Sequence, residues 1–295
     1  MAAAKVTDSV RFFNSLDELF NYCDADPIID TKCSSRKTGD KSWNGTETYA
    51  DAIELARTGW REMRPNVDRI LTDVDAKVRT MVLDRPATRF DVTGAYVDVA
   101  TYLTGEPECM VEIIEEPTPV HGRVARLLVQ GSASWSVDAE MIQARGAAVC
   151  ALADALARSG IYLEVWVEFT ITHKLKGRQT KATTDATAVR IKGASDPLDI
   201  DLLMFPLGHP SMFRRLIFDV WERSMTPAQR KRYAVGGDTD DHYGIPTGSV
   251  LGESIGADIE LKNSPTRSSP ECNDPARWVT SICEQFGIEV TGENR

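Results

Sequence analysis

No run of about 18 uncharged apolar residues occurs in this sequence, so no segment is expected to cross a bilayer as a helix. The first residues, MAAAKVTDSVRFF, hold no apolar stretch long enough for a secretory signal. Cysteine is sparse and unpatterned. Cys23, Cys33, Cys109, Cys150, Cys272 and Cys283 form no CxxC and no short repeat, which reads as reduced cytosolic thiols rather than a disulfide framework or a zinc site. The four histidines (His121, His173, His209 and His242) are isolated in sequence, and nothing in their setting points to a catalytic triad. The G-x-x-x-x-G-K-[ST] pattern of a P-loop and the H-E-x-x-H of a zinc protease are both missing. Gly248-Ser249-Val250-Leu251-Gly252 places its serine directly after a glycine and does not match a nucleophile elbow.

What is present is enough apolar material for a full core. The 295 residues are 42% hydrophobic, which excludes wholesale disorder. Lys and Arg number 34 against 44 Asp and Glu, a formal charge of −10. That balance argues against a dedicated duplex-DNA coat but leaves room for a local basic patch.

Three zones follow one another. The first, to about residue 90, reads as helices around a polar loop at residues 30–45. Ser15 and Glu18 form a capping box ahead of Leu16, Leu19 and Phe20. Thr46 or Thr48 caps a helix carrying Ala52, Ile53, Leu55 and Ala56, with Gly59 at its end. Val67, Ile70, Leu71, Val74 and Val78 predict a helix from Val67 to Val82. The second zone, residues 91–120, reads as short strands and turns, with Met110–Ile114 a strand ended by a stiff acidic connector at 115–119. The third alternates: strand 123–129, alanine-rich helix 137–159 stopped by Gly160, strand 161–171, strand 186–191, helices 199–204 and 211–223, strand 257–261, helix 275–286. This order predicts an α/β domain over 121–295, with a largely parallel sheet and helices on both faces, preceded by a mostly helical region over 1–120.

The stretch RLLVQGSASWSVDAEMIQARGAAVCALADALARSGIYLEVWVEF resembles the first β-α-β unit of a von Willebrand factor A-like domain. That family has an apolar strand, a D-x-S-x-S loop, a helix and a second strand after a glycine. Ser132 and Ser134 match the serines, and Gln130 stands in the aspartate position. The resemblance implies a divalent-cation site (Mg²⁺, Mn²⁺ or Ca²⁺) at the end of the strand, with Thr170, Thr172 and Asp258 as further ligands by position only. Gln130 offers a neutral oxygen where hard cations favour an anionic one. The same serines, with Ser136, would also serve as a tight turn capping the helix. Over most of its length the chain is also similar to uncharacterised proteins of bacteriophages and mobile elements. The similarity is carried by Trp43-Asn44-Gly45-Thr46 with ADAIELARTGW, by VDVATYLTGEPECM, by QGSASWSVDAEMIQARGAAV and by DPLDIDLLMFPLGHPSMFRRLIFDVWE.

Two further groupings carry charge. Residues 236–256 hold six glycines together with Asp238, Asp240, Asp241 and His242, a run that could chelate a cation or simply be a solvated loop. Lys174, Lys176, Arg178 and Lys181, with Arg190 and Lys192, face one acid, Asp185. Arg214 and Arg215 begin a second basic run, which closes with Arg230, Lys231 and Arg232. Both runs could meet phosphates or an acidic protein; both also read as a solvated loop and a salt-bridged helix face.

These features favour a non-enzymatic, phage-type adaptor or assembly protein that binds another macromolecule through the loops at the carboxyl edge of the sheet. A metal-dependent hydrolase or nuclease at 238–242, and an RNA- or DNA-binding protein using 173–192 and 214–232, are the alternatives. No organic cofactor, no membrane and a cytoplasmic location in the host cell are expected, with a virion role left open.

Overall fold

The computed structural model describes residues 7–26, 35–75, 82–119, 122–134, 136–173, 183–233 and 243–288. The chain opens with β1 (Thr7–Phe13) and α1 (Leu16–Cys23). Ser15 Oγ accepts from Glu18 N at 3.1 Å, and the Glu18 carboxylate reaches back to Asn14 N at 2.6 Å. The short α2 (Lys41–Asn44) leads to α3 (Tyr49–Thr58). Thr48 and Asp51 close a reciprocal capping box there, so Thr48, not Thr46, is the cap. A single 3₁₀ turn at Arg61–Met63 runs into α4 (Arg64–Asp75). Val67, Ile70 and Val74 are buried as their spacing predicts. Val82, expected in that helix, instead starts a strand.

A three-stranded antiparallel sheet follows: β2 (Val82–Asp91), β3 (Tyr96–Val97), the five-residue α5 (Val99–Leu103) and β4 (Met110–Pro119). The acidic stretch 115–119, expected as a connector, continues β4 in register with β2, Pro119 opposite Val82. Extended, proline-compatible backbone at a small sheet needs no buried face, so charge and proline did not stop the strand.

The main sheet contains β5 (Arg123–Gln130), β6 (Ile161–His173), β7 (Thr183–Lys192), β8 (Ile245–Pro246) and β9 (Ile259–Leu261), with β1 added at one edge. Its order is β1-β7-β6-β5-β9, with β8 paired to β6. The β1–β7, β5–β6 and β5–β9 pairs are parallel. The β6–β7 pair is antiparallel, against the expectation of a crossover. Its connection, residues 174–182, is shorter than the dozen or so residues a parallel return requires.

The remaining helices are α6 (Ala139–Arg158), α7 (Ile200–Gly208), α8 (Phe218–Ser224), α9 (Pro227–Tyr233), α10 (Gly252–Ile255), α11 (Pro270–Asn273) and α12 (Pro275–Gln285). A π-helical segment, Met212–Ile217, feeds directly into α8. The helix α6 begins after Asp138 without a side-chain cap, so Ser136 does not cap it.

Strand alternation separates the two faces of the sheet. Leu163, Val165, Val167, Phe169 and Ile171 join one large core with α1, α3, α4, α6, α7, α8 and α12. Trp166, Leu128, Ala186 and Ala188 face the other way, under Leu251 and the four-residue α10. Residues of β1, α1, α3 and α4 therefore belong to the same core as the strands after residue 121, and the expected division at residue 120 does not separate two cores.

Gly146 on α6 and Gly208 on α7 let two backbones meet. A Cβ at 146 would lie 2.7 Å from Gly208 Cα and 2.9 Å from its N. Neither neighbour can swing aside as a side chain would. Gly146→Ala should therefore cost about 1–3 kcal/mol through forced separation of the two helices. Urea denaturation checks this; a loss below about 0.5 kcal/mol would show that the pair can part freely.

Candidate functional site

The carboxyl end of β5 is the place where the serine loop should offer its oxygens. Instead these groups are turned inward. Ser132 is fully buried. Its Oγ accepts from Thr170 N at 2.8 Å, its N donates to Gln130 Oε1 at 2.9 Å, and its carbonyl accepts from Ser264 Oγ at 2.6 Å. Gln130 Nε2 donates to Thr247 O at 2.7 Å, a bond that an aspartate in this position could not make. Ser134 is half-buried and receives the hydroxyl of Ser136 at 3.2 Å.

Of the other positional ligands, Thr170 adjoins Ser132 but its hydroxyl is committed, and the remaining two lie elsewhere. Thr170 Oγ1 donates to Glu168, and Thr172 pairs with Thr184 across β6 and β7. Asp258 accepts from Arg126 N at 2.8 Å, ahead of β9 and four residues back along β5 from Gln130. It sits toward the opposite end of the strands and cannot share an ion with Ser132.

A strap, residues 245–257, closes over this region. The buried Glu168 carboxylate holds it, accepting from Val250 N at 2.8 Å, Leu251 N at 3.2 Å and Ser249 Oγ at 2.6 Å. The neighbouring Arg145 is likewise buried. It donates to Glu271 Oε1 from Nη2 at 2.6 Å and from Nε at 3.0 Å, and to Gln130 O from Nη1. The arrangement fastens α6, α11 and the strand end together. Among the described residues, no group of three or more His, Cys, Asp or Glu could hold a metal ion.

Lys174, Lys176, Arg178 and Lys181 lie outside the described residues, as do Asp238, Asp240, Asp241 and His242. The flanking cations are tied down: Arg190 Nε donates to Asn14 O and Lys192 Nζ to Leu163 O and Gly193 O. Arg214 and Arg215, expected to face a partner, are 3% and 0% exposed. Arg214 donates to Trp43 O at 2.6 Å and lies over the Trp43 ring. Arg215 Nη1 donates to Ser35 O and Lys37 O at 3.1 and 3.0 Å, and Nη2 to Thr46 O and Glu47 O at 2.8 and 2.9 Å. Both guanidiniums are occupied by main-chain carbonyls, which corrects the expectation of phosphate or partner contact.

An outward-facing surface appears on the small sheet. Neither apolar core includes a residue from 82–119, and the elements of this arm pack chiefly on one another. Of the thirteen large apolar side chains exposed among the described residues, eight lie between Phe90 and Ile113. Such clustering, rather than scatter, marks an interaction surface. Tyr102 and Leu103 on α5 are 63% and 77% exposed, with Val99 beside them and Tyr96 and Phe90 on the adjoining strands. Three strands and a five-residue helix cannot enclose this many large groups; among the described side chains of the arm, Val111 alone is buried. Residues 88–113 carry five acids (Asp91, Asp98, Glu106, Glu108, Glu112) and one base, Arg89. The surface is thus apolar with an acidic surround. Sequence reasoning passed over it. Its signal was the run VDVATYL, whose large groups have no helical or strand partner close in sequence to cover them.

No helix among the described residues is long and apolar enough to cross a membrane. No curated protein and no solved structure matches the chain. A sequence family described as a domain of unknown function (DUF7192) matches residues 3–290. Spanning almost the whole chain, from before β1 to beyond α12, that match makes this protein a member of the DUF7192 family.

Proposed function

We propose that the protein is a non-enzymatic adaptor or assembly protein that binds another protein through the apolar, acidic arm formed by β2, β3, α5 and β4. The observation carrying this reading is the cluster of exposed Tyr96, Val99, Tyr102 and Leu103 on a sheet with too little of its own to bury them. Aromatic anchors such as tyrosine within a polar rim are the usual make-up of a binding hot spot. The acidic surround selects a partner whose apolar patch is ringed by Lys or Arg, and disfavours arm-to-arm pairing of two copies by like charge. The placement differs from the carboxyl-edge loops favoured by sequence, because those loops spend their polar groups on the strap. The order β5, serine loop, α6, Gly160, β6 supports a von Willebrand A-like origin of the main sheet, with Ser132 kept for structure. A bacteriophage or mobile-element setting rests on the sequence resemblance.

The test is a Tyr102→Ser/Leu103→Ser double variant. Both side chains are exposed, so stability should stay within about 0.5 kcal/mol of the parent. Binding to a partner isolated by photo-crosslinking from position 99 should weaken at least about thirtyfold, the equivalent of about 2 kcal/mol. Undiminished binding by the double variant would overturn the reading. A parent chain that runs as a stable dimer, dissociated by the same substitutions, would replace the proposed partner by a second copy.

A further inference from the structure

A second feature lies on the main body, remote in sequence from the arm. Residues of α2, α3 and the turn after α3 enclose an open cleft of about 410 Å³. That is within the size of small-ligand sites, roughly 300–1,000 Å³. Its rim carries Glu47, Glu54 and Glu62, whose carboxylates make no ion pair or side-chain hydrogen bond among the described residues. Asp51 also lines the cleft but is held in the capping box by Thr48, and Lys41 is the lining cation. A concave wall dominated by one sign of charge concentrates counter-ions.

The floor is different in kind. Trp60 and His209 line the cleft at 6% and 7% exposure, with their rings edge to face at 4.6 Å. His209 Nδ1 accepts from Ser211 N at 3.2 Å, which assigns the proton of the neutral ring to Nε2. Burial first, and the Lys41 charge second, push the imidazole down to about 4, so the ring is neutral at ordinary pH. Neither the Trp60 Nε1–H nor the His209 Nε2–H has a hydrogen-bond acceptor among the described residues. Neither nitrogen is among the fully enclosed unpartnered atoms, so in these otherwise buried side chains the two donors open onto the cleft that they line, where a ligand oxygen can replace water as acceptor.

We propose that this cleft binds a small organic cation that also carries an acceptor oxygen, the rim carboxylates of Glu47, Glu54 and Glu62 taking the cation and the Trp60 and His209 N–H groups taking the oxygen. Neither group alone defines the ligand: an acidic rim would accept any cation, and the donors would accept any carbonyl. Together they select a molecule with both ends.

Isothermal titration of the full chain with L-argininamide and with agmatine tests this. Argininamide has a guanidinium and an amide carbonyl; agmatine keeps the cation and lacks the oxygen. Argininamide should bind with one-to-one stoichiometry and at least about tenfold more tightly than agmatine. Glu54→Gln/Glu62→Gln should weaken both at least about tenfold. Trp60→Phe keeps the ring and removes the donor, so it should weaken argininamide and leave agmatine unchanged. Glu106→Gln on the arm should change neither. Absence of saturable binding at millimolar concentration, or equal binding by the double glutamine variant, overturns the proposal. Because the arm is untouched, that failure leaves the adaptor reading standing.

Discussion

Arg215→Met should destabilise the protein by about 3–5 kcal/mol, because several charge-assisted hydrogen bonds to buried carbonyls are lost together. The reason lies in what the guanidinium holds. Residues 35–48 contain three left-handed positions, Gly39, Asp40 and Gly45, and a four-residue helix. Asp40 is the non-glycine residue with positive φ among the described residues, at 51°, and its carboxylate caps α2 by accepting from Trp43 N. A backbone so bent satisfies only some of its own carbonyls, such as Asp40 O and Lys41 O. Four others, on Ser35, Lys37, Thr46 and Glu47, converge on Arg215. Methionine fills much of the volume but donates nothing, so the Ser35, Lys37 and Thr46 carbonyls lose the Arg215 bond in a dry site, while Glu47 O keeps its bond from Gly39 N. Urea denaturation gives the stability, and hydrogen exchange over residues 35–48 shows whether the loop loosens first. A loss under about 1 kcal/mol, with unchanged exchange, would show that the loop holds its own shape. Arg215→Lys should fall between, since one ammonium cannot reach four carbonyls in a plane.

Glu222 should make the protein less stable as the solution is made more basic through the mildly acid range. Its carboxyl is buried on α8, and burial pushes it from 4.5 up to about 7, aided by the nearby Asp219. Hydrogen bonds from Tyr243 and Ser35 pull the other way without winning. The folded state therefore binds the Glu222 proton more tightly than the unfolded chain does. Its contribution is complete below about pH 4.5, falls as pH rises, and is gone above about pH 7. The span corresponds to about 3 kcal/mol. Glu222→Gln removes the titration and keeps the bonds: an amide oxygen accepts from Ser35 N and Tyr243, and the amide nitrogen donates to Ser35 Oγ. Denaturation midpoints of this variant should change less between pH 5 and 8, as a direct comparison with the parent would reveal. An identical slope in both proteins would assign the pH dependence to other groups.

How far the sequence can be read depends on how local the determining contact is. β5, α6 and β6 were plain because each carries a long apolar pattern of its own and Gly160 separates them. β1 was missed. Among the described side chains of TDSVRFF, Phe13 alone is buried, while Val10 and Phe12 remain exposed at the edge, so no alternation betrays it. Arg214 and Arg215 misled for the opposite reason. Their neighbours Met212, Phe213, Leu216 and Ile217 are buried too, so the π-helical segment is enclosed on all sides. A charge count places arginines on a surface; an apolar run continuing on both sides of them was the better signal. The Trp60–His209 cleft depends on residues whose neighbours come from other parts of the chain. The cleft joins residues 41–62 to His209, so no window of sequence contains it, whereas the arm's surface lies within 88–113 and shows only once its elements are seen to lack a cover.

The position of β1 also bears on how the chain is born. Its Ser9 hydroxyl meets the Asp185 carboxylate at 2.8 Å, across 176 residues. At synthesis rates of about 5–20 residues per second, the partner strand follows about ten to thirty-five seconds after the first strand. Throughout that interval Phe13, Leu19 and Phe20, all destined for the interior, have no sheet to rest on. β1 and α1 are thus made well before the strand that lets them settle.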